Sequence, residues 1–193
     1  MPTGRRGEQA GVVDLRRLDL APGAGAAVEV PVHLDVVHLG GQAYASDPPE
    51  VEARLDVGSS GSGLGLRLRF GTTLRGPCQR CLADSALDMV LDVRDFQATG
   101  RTGVDAPDDD LDCEYLSGPA RMELDLAAWA RDSVAEALPM AILCRDDCAG
   151  LCAQCGTDLN TASCTCVTDD VDPRWAALGE LRERLGDDGD DTT

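Results

Sequence analysis

The sequence predicts an α+β protein, built on an antiparallel β-sheet or a partly open barrel, with helices and a cysteine-rich loop toward its C-terminal end. Three observations support this prediction. Apolar and polar residues alternate with period two through the first half of the 193-residue chain, which is typical of half-buried strands. Apolar residues recur at helical spacing in two later segments. Eight of the nine cysteines fall into four close pairs, three of which lie between those two segments.

The alternation predicts four strands, over residues 28–34, 51–57, 64–70 and 87–93. Pro31 has no backbone N–H group to donate to a ladder, so the first strand is predicted to lie at a sheet edge. Short runs of turn-forming residues separate the strands, at 40–41, 48–49 and 58–63. Connections this short favour antiparallel pairing of consecutive strands.

Two helices are predicted after the strands. Asp125 is a suitable N-cap for the first, which has apolar residues at helical spacing and ends at Pro139. The second begins at the dipeptide 172–173, a capping aspartate followed by a first-turn proline, and its apolar stripe ends at Leu185. The acidic residues 187–193 have nothing to bury and are predicted to be disordered.

These elements predict three parts of the chain. Residues 1–140 form the antiparallel β body with its packing helix. Residues 141–186 form a cysteine-rich module and the second helix. Residues 187–193 form the acidic tail.

The cysteine pairs indicate bound metal rather than disulfides. The first residues carry arginines with no apolar run behind them, and no stretch approaches the roughly 18 consecutive apolar residues of a membrane span. We therefore predict a cytoplasmic protein without a membrane partner, in which thiols stay reduced. A thioredoxin-type redox site would need a Cys-x-x-Cys motif inside a βαβ pattern, which is absent.

Eight paired thiols suggest two zinc ions, because Zn²⁺ binds four thiolates at tetrahedral geometry. The predicted ligands are Cys78, Cys81, Cys144, Cys148, Cys152, Cys155, Cys164 and Cys166. Cys113 has no near partner in the sequence and is interpreted as a thiol that is not a metal ligand.

Two partitions of these ligands are open. In the first, Cys152, Cys155, Cys164 and Cys166 bind one ion, while Cys144 and Cys148 complete a second site with Cys78 and Cys81, at the tip of a predicted hairpin. In the second, the four thiols between 144 and 155 share one ion and two pairs stay incomplete. We prefer the first partition because it completes both sites.

No constellation for catalysis is visible, so we predict that the protein is not an enzyme and has no small-molecule substrate. A catalytic zinc usually keeps an open position and has histidine or carboxylate ligands. The two histidines, His33 and His38, lie far in sequence from every cysteine. Nucleophile elbows, phosphate-binding glycine loops and metalloprotease helices are also absent from the sequence.

The charge of the chain favours a basic partner. The formal net charge is −18 and the isoelectric point is about 4.2, which argues against general binding to a phosphate backbone. One stretch differs, because residues 57–83 hold four arginines and no acidic residue. These candidate RNA-contacting residues are Arg67, Arg69, Arg75 and Arg80.

Several segments together resemble the bacterial YceD family, the large ribosomal RNA subunit accumulation proteins. The resemblance rests on the knuckle 78–82 (CQRCL), the helix that ends in Leu-Pro at 138–139, the string 147–160 (DCAGLCAQCGTDLN) and the closing 172–178 (DPRWAAL). It extends from about residue 51 to about residue 185. The combined pattern is specific, whereas the Cys-x-x-Cys motif alone is not.

The resemblance implies a ribosome-biogenesis factor. Members of the family lie beside the gene for a small basic large-subunit ribosomal protein and are implicated in accumulation of the large ribosomal RNA. Some members lack the second cysteine cluster and keep the knuckle, which supports the first partition. This chain differs from the usual family composition in its lack of lysine and its acidic loop and tail.

Three functional hypotheses follow. The leading one is a non-enzymatic assembly factor that binds a basic large-subunit ribosomal protein or a pre-ribosomal particle. The second is a zinc protein that contacts pre-ribosomal RNA through the four arginines. The third is a redox-sensitive zinc switch.

Overall fold

A computed structural model describes residues 11–98, 113–117, 122–166 and Leu178. These residues fall into two compact units, the first reaching Cys148 and the second starting at Ala149. The predicted second helix lies outside the described residues except for Leu178, which is helical. The predicted acidic tail also lies outside them. Among the described residues, no helix is long and apolar enough to cross a membrane.

The first unit contains antiparallel strands, one 3-10 helix (Leu15–Leu18) and one α-helix in its described part. The strands are β1 (Val12–Asp14), β2 (Gly25–His33), β3 (Val37–Leu39), β4 (Gln42–Ser46), β5 (Glu50–Ser59), β6 (Gly63–Pro77), β7 (Asp84–Ala98), β8 (Leu116–Ser117) and β9 (Glu123–Asp125); the helix is α1 (Leu126–Glu136). All four predicted strands are present, as β2, β5, β6 and β7.

Strand β6 organises a six-stranded sheet. Along one edge it pairs with β7 over its whole length, from Gly63 opposite Ala98 to Pro77 opposite Asp84. Its other edge pairs first with β5 and then with β4, and β2 and β3 extend the sheet beyond these two strands. The described strands therefore form an open sheet, and the partly open barrel, the other predicted form, is not observed. Strand β2 lies at an edge, as Pro31 predicted.

The period-two alternation places one face of the sheet in the core. The buried residues of this face are Val32, Val51, Ala53, Leu55, Val57, Leu64, Leu66, Leu68, Phe70, Leu74, Met89 and Leu91. Fully burying a valine, leucine or phenylalanine side chain contributes about 1.5–3 kcal/mol each. Burial of this face also fixes the register, because a slip by one residue would turn the apolar set toward water.

The predicted turn at Gly40-Gly41 joins a hairpin of two short strands. Both glycines have positive φ, 59° and 80°, as a two-residue turn between antiparallel strands requires. Leu39 pairs with Gln42 across this turn. The strands themselves, β3 and β4, were not predicted because they are too short to show a clear alternation.

A second, three-stranded sheet in the order β1-β9-β8 leads into helix α1. Asp125 caps the helix, because its carboxylate accepts a hydrogen bond of 2.9 Å from the backbone N–H of Ala128. Leu126, Trp129 and Val134 are buried in the hydrophobic core, which confirms the prediction that this helix packs on the sheet.

Candidate metal centres

The first thiol pair lies at the tip of the β6–β7 hairpin. Cys78 and Cys81 follow the last ladder pair of these strands, Pro77 opposite Asp84, so the predicted knuckle at a hairpin tip is confirmed. Two backbone hydrogen bonds close the turn. The N–H of Leu82 donates to the carbonyl of Cys78 at 2.9 Å, and the N–H of Cys78 donates to the carbonyl of Ala83 at 2.7 Å. Leu82 has a φ of 63°, which costs a residue with a side chain roughly 1–2 kcal/mol.

Two hydrogen bonds connect the knuckle to the segment after α1. The backbone N–H of Gln79 donates to the carbonyl of Ile142 at 3.0 Å, and Ile142 is buried in the core. The Arg80 guanidinium donates to the carbonyl of Cys148 at 2.9 Å. These bonds place the segment that carries Cys144 and Cys148 beside the knuckle.

Two further hydrogen bonds connect the sheet to the knuckle and to the residue before it. The hydroxyl of the buried Tyr44 donates to the carbonyl of Pro77 at 2.7 Å, and the Gln79 amide donates to the carbonyl of Leu39 at 2.9 Å. Both contacts come from the short β3–β4 hairpin. This hairpin therefore holds the turn in place.

The four thiols brought together here, Cys78, Cys81, Cys144 and Cys148, are called the sheet site. Their sulfur atoms all lie within 4.8 Å of one another. The Sγ atoms of Cys78 and Cys148 are 3.8 Å apart, and those of Cys81 and Cys144 are 3.6 Å apart. Four thiolates bound tetrahedrally at about 2.3 Å from Zn²⁺ have sulfur–sulfur distances of about 3.8 Å. The spacing therefore fits a zinc ion.

The remaining four thiols, Cys152, Cys155, Cys164 and Cys166, form a second set within the second unit, called the loop site. Their sulfur atoms also lie within 4.8 Å of one another. The knuckle 152–155 repeats the turn of the first knuckle. The N–H of Gly156 donates to the carbonyl of Cys152 at 2.8 Å, and the N–H of Cys152 donates to the carbonyl of Thr157 at 2.9 Å. Gly156 has a φ of 73°, in the left-handed region that favours glycine.

Polar contacts hold the segment that follows the second knuckle. Leu151 and Asp158 form a β-bridge. The side chain of Asn160 accepts a bond of 2.8 Å from the N–H of Ala149 and donates one of 2.7 Å to Asp158. Sequence reasoning assigned no role to Asp158 and Asn160, although both lie in the string that resembles the YceD family.

The environment of the sheet site favours the thiolate form of one of its cysteines and the protonated thiol form of another. Desolvation by burial raises the pKa of Cys78, but the backbone N–H groups of Cys81, Arg80 and Cys144 outweigh it and lower the pKa to about 6. For Cys144, desolvation and the neighbouring cysteine side chains raise the pKa to about 12. A divalent cation bound by the four sulfur atoms would favour the thiolate form of all of them, because its charge compensates the repulsion between four thiolates.

The loop site has the same asymmetry. The hydroxyl and backbone of Thr157 are the main groups that lower the pKa of Cys155 to about 6, and the sulfur and hydroxyl oxygen are 3.1 Å apart. A hydrogen bond with the Cys155 side chain is the main cause that raises the pKa of Cys166 to about 12. Both sets thus have the donor chemistry of a four-thiolate metal site.

The structure groups the eight thiols as the first of the two partitions proposed. The described part of the chain contains no disulfide, and neither His33 nor His38 belongs to a set. Both sets could hold a metal ion, and in each the four ligands would be thiolates alone. That the ion is zinc stays a prediction, which the spacing supports.

Cys113 belongs to neither set. It lies in the hydrophobic core with 1% of its surface exposed, and burial is the main cause that raises its pKa to about 12. This location agrees with its interpretation as a thiol that is not a ligand. Its core position was not predicted, because its sequence neighbours are acidic.

The four candidate RNA-contacting arginines are engaged within the first unit. Arg67 donates to Asp92 at 2.7 Å, Arg69 to Asp56 at 2.6 Å and Arg75 to Asp47 at 2.6 Å, while Arg80 bonds the carbonyl of Cys148 as described above. The Arg67 guanidinium lowers the pKa of the Asp92 carboxyl. The absence of acidic residues from 57–83 therefore does not make this stretch a basic surface, since β5, β7 and the residue that follows β4 supply carboxylates.

Alanine substitution of Arg67, Arg69 and Arg75 tests the RNA hypothesis. Because these arginines already pair with carboxylates, we expect the triple variant to crosslink to ribosomal RNA in cells as much as the wild-type protein does. A matched triple variant at Arg16, Arg54 and Arg131, which also form surface ion pairs, controls for the loss of three positive charges. A severalfold loss of crosslinking confined to the first variant would favour direct RNA contact.

A family model described as large ribosomal RNA subunit accumulation protein YceD matches residues 66–182. This range includes most of β6, all of β7 and α1, and both thiol sets. The chain belongs to the YceD family. The prediction made from the knuckle, the helix end and the cysteine-rich string is confirmed.

Relatives of this YceD protein occur in plants and mycobacteria. A chloroplastic protein of Arabidopsis thaliana named large ribosomal RNA subunit accumulation protein YCED homolog 1 is 33% identical over 67 residues, which cover 35% of this chain and 21% of that protein. An uncharacterised protein of Mycobacterium tuberculosis strain H37Rv is 28% identical over 179 residues, 92% of this chain and 83% of that protein. One of Mycobacterium leprae strain TN is 43% identical over 58 residues, 30% of this chain and 26% of that protein.

The match to the Arabidopsis protein spans about a fifth of that relative. No solved structure matches this YceD protein.

Proposed function

We propose that this YceD protein is a non-enzymatic ribosome-biogenesis factor that supports accumulation of the large ribosomal RNA. It acts in the cytoplasm by binding a basic large-subunit ribosomal protein, free or within a pre-ribosomal particle. Two zinc ions, one in the sheet site and one in the loop site, stabilise the surfaces that bind.

Family membership is the observation that carries the proposal. The match covers residues 66–182, and the printed name of the Arabidopsis relative also refers to accumulation of large-subunit ribosomal RNA. The matched range contains all eight thiols of the two sets, so both proposed zinc sites lie in the part of the chain that matches the family model.

The charge of the chain supports a basic partner. With a formal net charge of −18, the protein attracts cations at long range and repels nucleic acid. Electrostatic attraction of this kind increases the association rate and makes it sensitive to salt. The engagement of all four candidate arginines also favours a protein partner over direct RNA contact.

The proposed zinc ions have a structural role. When bound, each would be held by four thiolates, which leaves no open position for a substrate or water. The ion in the sheet site would fix the turn between β6 and β7 to the segment after α1. The ion in the loop site would close the segment 152–166.

Affinity capture tests the proposed partner. The tagged full-length protein is incubated with ribosomal proteins extracted from purified large subunits, and the retained proteins are identified by mass spectrometry. We expect one or a few basic ribosomal proteins to be retained at about 0.1 M salt and released at about 1 M, as the Debye length falls from about 10 Å to about 3 Å.

An unrelated acidic protein of similar size and net charge serves as the control bait. If it retains the same ribosomal proteins with the same salt dependence, the binding is only general attraction of opposite charges. The proposal fails if the YceD protein retains no ribosomal protein at low salt and its depletion from cells leaves the ratio of large to small ribosomal RNA unchanged.

A further inference from the structure

Strand β7 has an edge with no neighbouring strand among the described residues. It is 15 residues long and pairs with β6 in unbroken register, one residue opposite one, from end to end. It therefore contains no β-bulge. Within the described part of the chain, β6 is its only strand partner.

The direction of the backbone groups follows from the register. The carbonyl of Thr73 in β6 accepts a hydrogen bond from the N–H of Asp47 on the side opposite β7. Thr73 pairs with Asp88, and the N–H and C=O groups of an antiparallel pair both point toward the partner or both point away. Asp88 thus directs its backbone groups away from β6, and since the direction alternates along a strand, so do Ala86, Val90 and Asp92. We call these backbone groups over residues 84–92 the β7 edge.

Edge strands are commonly protected by charged side chains (above all lysine), by proline, by a bulge or by a very short length. Of these features, β7 has only the charged side chains. The opposite edge strand, β2, contains Pro31, whereas β7 has no proline and the whole chain has no lysine. Val90 is 91% exposed, so nothing in the described part of the chain covers the middle of the edge. A long, regular, uncovered edge is suited to pairing with another strand.

The charges along the strand select the partner. The residues whose backbone groups face outward include three carboxylates four positions apart, Asp84, Asp88 and Asp92, against one guanidinium, Arg94. Since Asp92 already forms an ion pair with Arg67, the excess of acid along this edge comes from Asp84 and Asp88. A second copy of β7 would bring the same excess of acid to the interface, and like charges opposite each other destabilise a strand pair. An extended segment rich in lysine or arginine would meet opposite charges instead.

We propose that the β7 edge binds an extended lysine- or arginine-rich segment of the partner protein as an added β-strand. The backbone hydrogen bonds supply affinity, and the aspartates select basic side chains. This inference rests on the basic partner of the proposed function and specifies how that partner binds.

Substitution of Val90 tests the edge in the full-length protein. Proline at this position removes an N–H group that faces away from β6, and proline is tolerated on edge strands, so the β6–β7 ladder stays intact. The matched control Val90→Thr keeps the N–H group and the β-branched shape. Circular dichroism and metal content check that both variants fold.

The probe is a fluorescent peptide of alternating lysine and valine residues, with binding followed by fluorescence anisotropy. We expect the wild-type protein and Val90→Thr to bind alike, and Val90→Pro to bind about tenfold more weakly, the effect of losing one net hydrogen bond. A second peptide of the same sequence, with alternate backbone amides N-methylated, keeps the charge and loses the hydrogen bonds. It is expected to bind the wild-type protein at least about tenfold more weakly, and this comparison does not depend on how Val90→Pro folds.

Other outcomes would contradict the proposal. If the methylated peptide binds as tightly as the unmethylated one, or if folded Val90→Pro binds as tightly as the wild-type protein, strand addition is wrong. Charge-driven capture of a ribosomal protein could then still occur. If light scattering shows that the wild-type protein is a dimer and Val90→Pro a monomer, the proposed basic segment is wrong, and a second copy of the protein binds the edge. Loss of peptide binding in Val90→Pro without capture of any ribosomal protein supports the edge and refutes the proposed partner.

Discussion

Replacing Cys78 by alanine is expected to lower the zinc content of the purified protein from about two ions to about one, and Cys152→Ala is expected to do the same at the other site. Each substitution removes one ligand of a four-thiolate set, and a set of three leaves the tetrahedron incomplete. Since Cys78 and Cys152 belong to different sets, the double variant is expected to bind almost no zinc. Elemental analysis by mass spectrometry, with protein concentration from amino-acid analysis, measures all three values.

The two single variants should differ in their effect on folding. Loss of zinc from the sheet site releases the segment 142–148 from the β6–β7 turn, so the first unit is expected to unfold at lower temperature. Loss of zinc from the loop site acts on the segment 152–166 alone, because metal binding and local folding are coupled. Cys113→Ala is the control for removing a buried thiol, and its zinc content should stay at that of the wild-type protein. A wild-type protein with one zinc, or single variants that keep both ions, would refute the two-site assignment.

Replacing Trp129 by alanine is expected to lower the free energy of unfolding by about 3–5 kcal/mol, as for other large aromatic residues truncated in a core. Trp129 is 4% exposed and stacks on Tyr115, with ring centroids 5.9 Å apart and planes 18° from parallel. The substitution removes this contact and leaves a cavity between α1 and the turn before β8 that carries Tyr115. Urea denaturation followed by circular dichroism measures the change.

Trp129→Phe provides the matched control, because it keeps an aromatic ring in the cavity and should cost clearly less. If Trp129→Ala costs only about 0.5 kcal/mol, the amount typical of surface substitutions, then α1 does not pack on the strands of the first unit as described. The metal content of both variants separates a loss of core packing from a loss of the zinc sites.

The long strands were predictable because each has one face in the core and one in water. That environment forces the alternation seen in β2, β5, β6 and β7, and the positions of turn-forming residues then define the hairpins. Helix α1 was predictable for a similar reason, since its capping aspartate, apolar spacing and terminal proline all act within a few residues. The two cysteine knuckles are also local features.

Short elements and side-chain pairings were not predictable. Strands of two to five residues, such as β1 and β4, show too few alternations to be recognised. The ion pairs of Arg67 and Arg69 join residues that are 25 and 13 positions apart. They depend on the register between strands, which the local pattern does not specify, so the four arginines were interpreted as a basic stretch.

The sequence alone determined the family, the long strands, the first helix and the pairing of thiols within each knuckle, because each of these depends on the spacing of neighbouring residues. Tertiary structure decided which knuckle joins which distant pair. Cys78 and Cys148 are 70 positions apart, yet their sulfur atoms lie 3.8 Å from each other. They meet because the β6–β7 register places the knuckle at the hairpin tip and the Gln79 to Ile142 hydrogen bond brings the later segment to it.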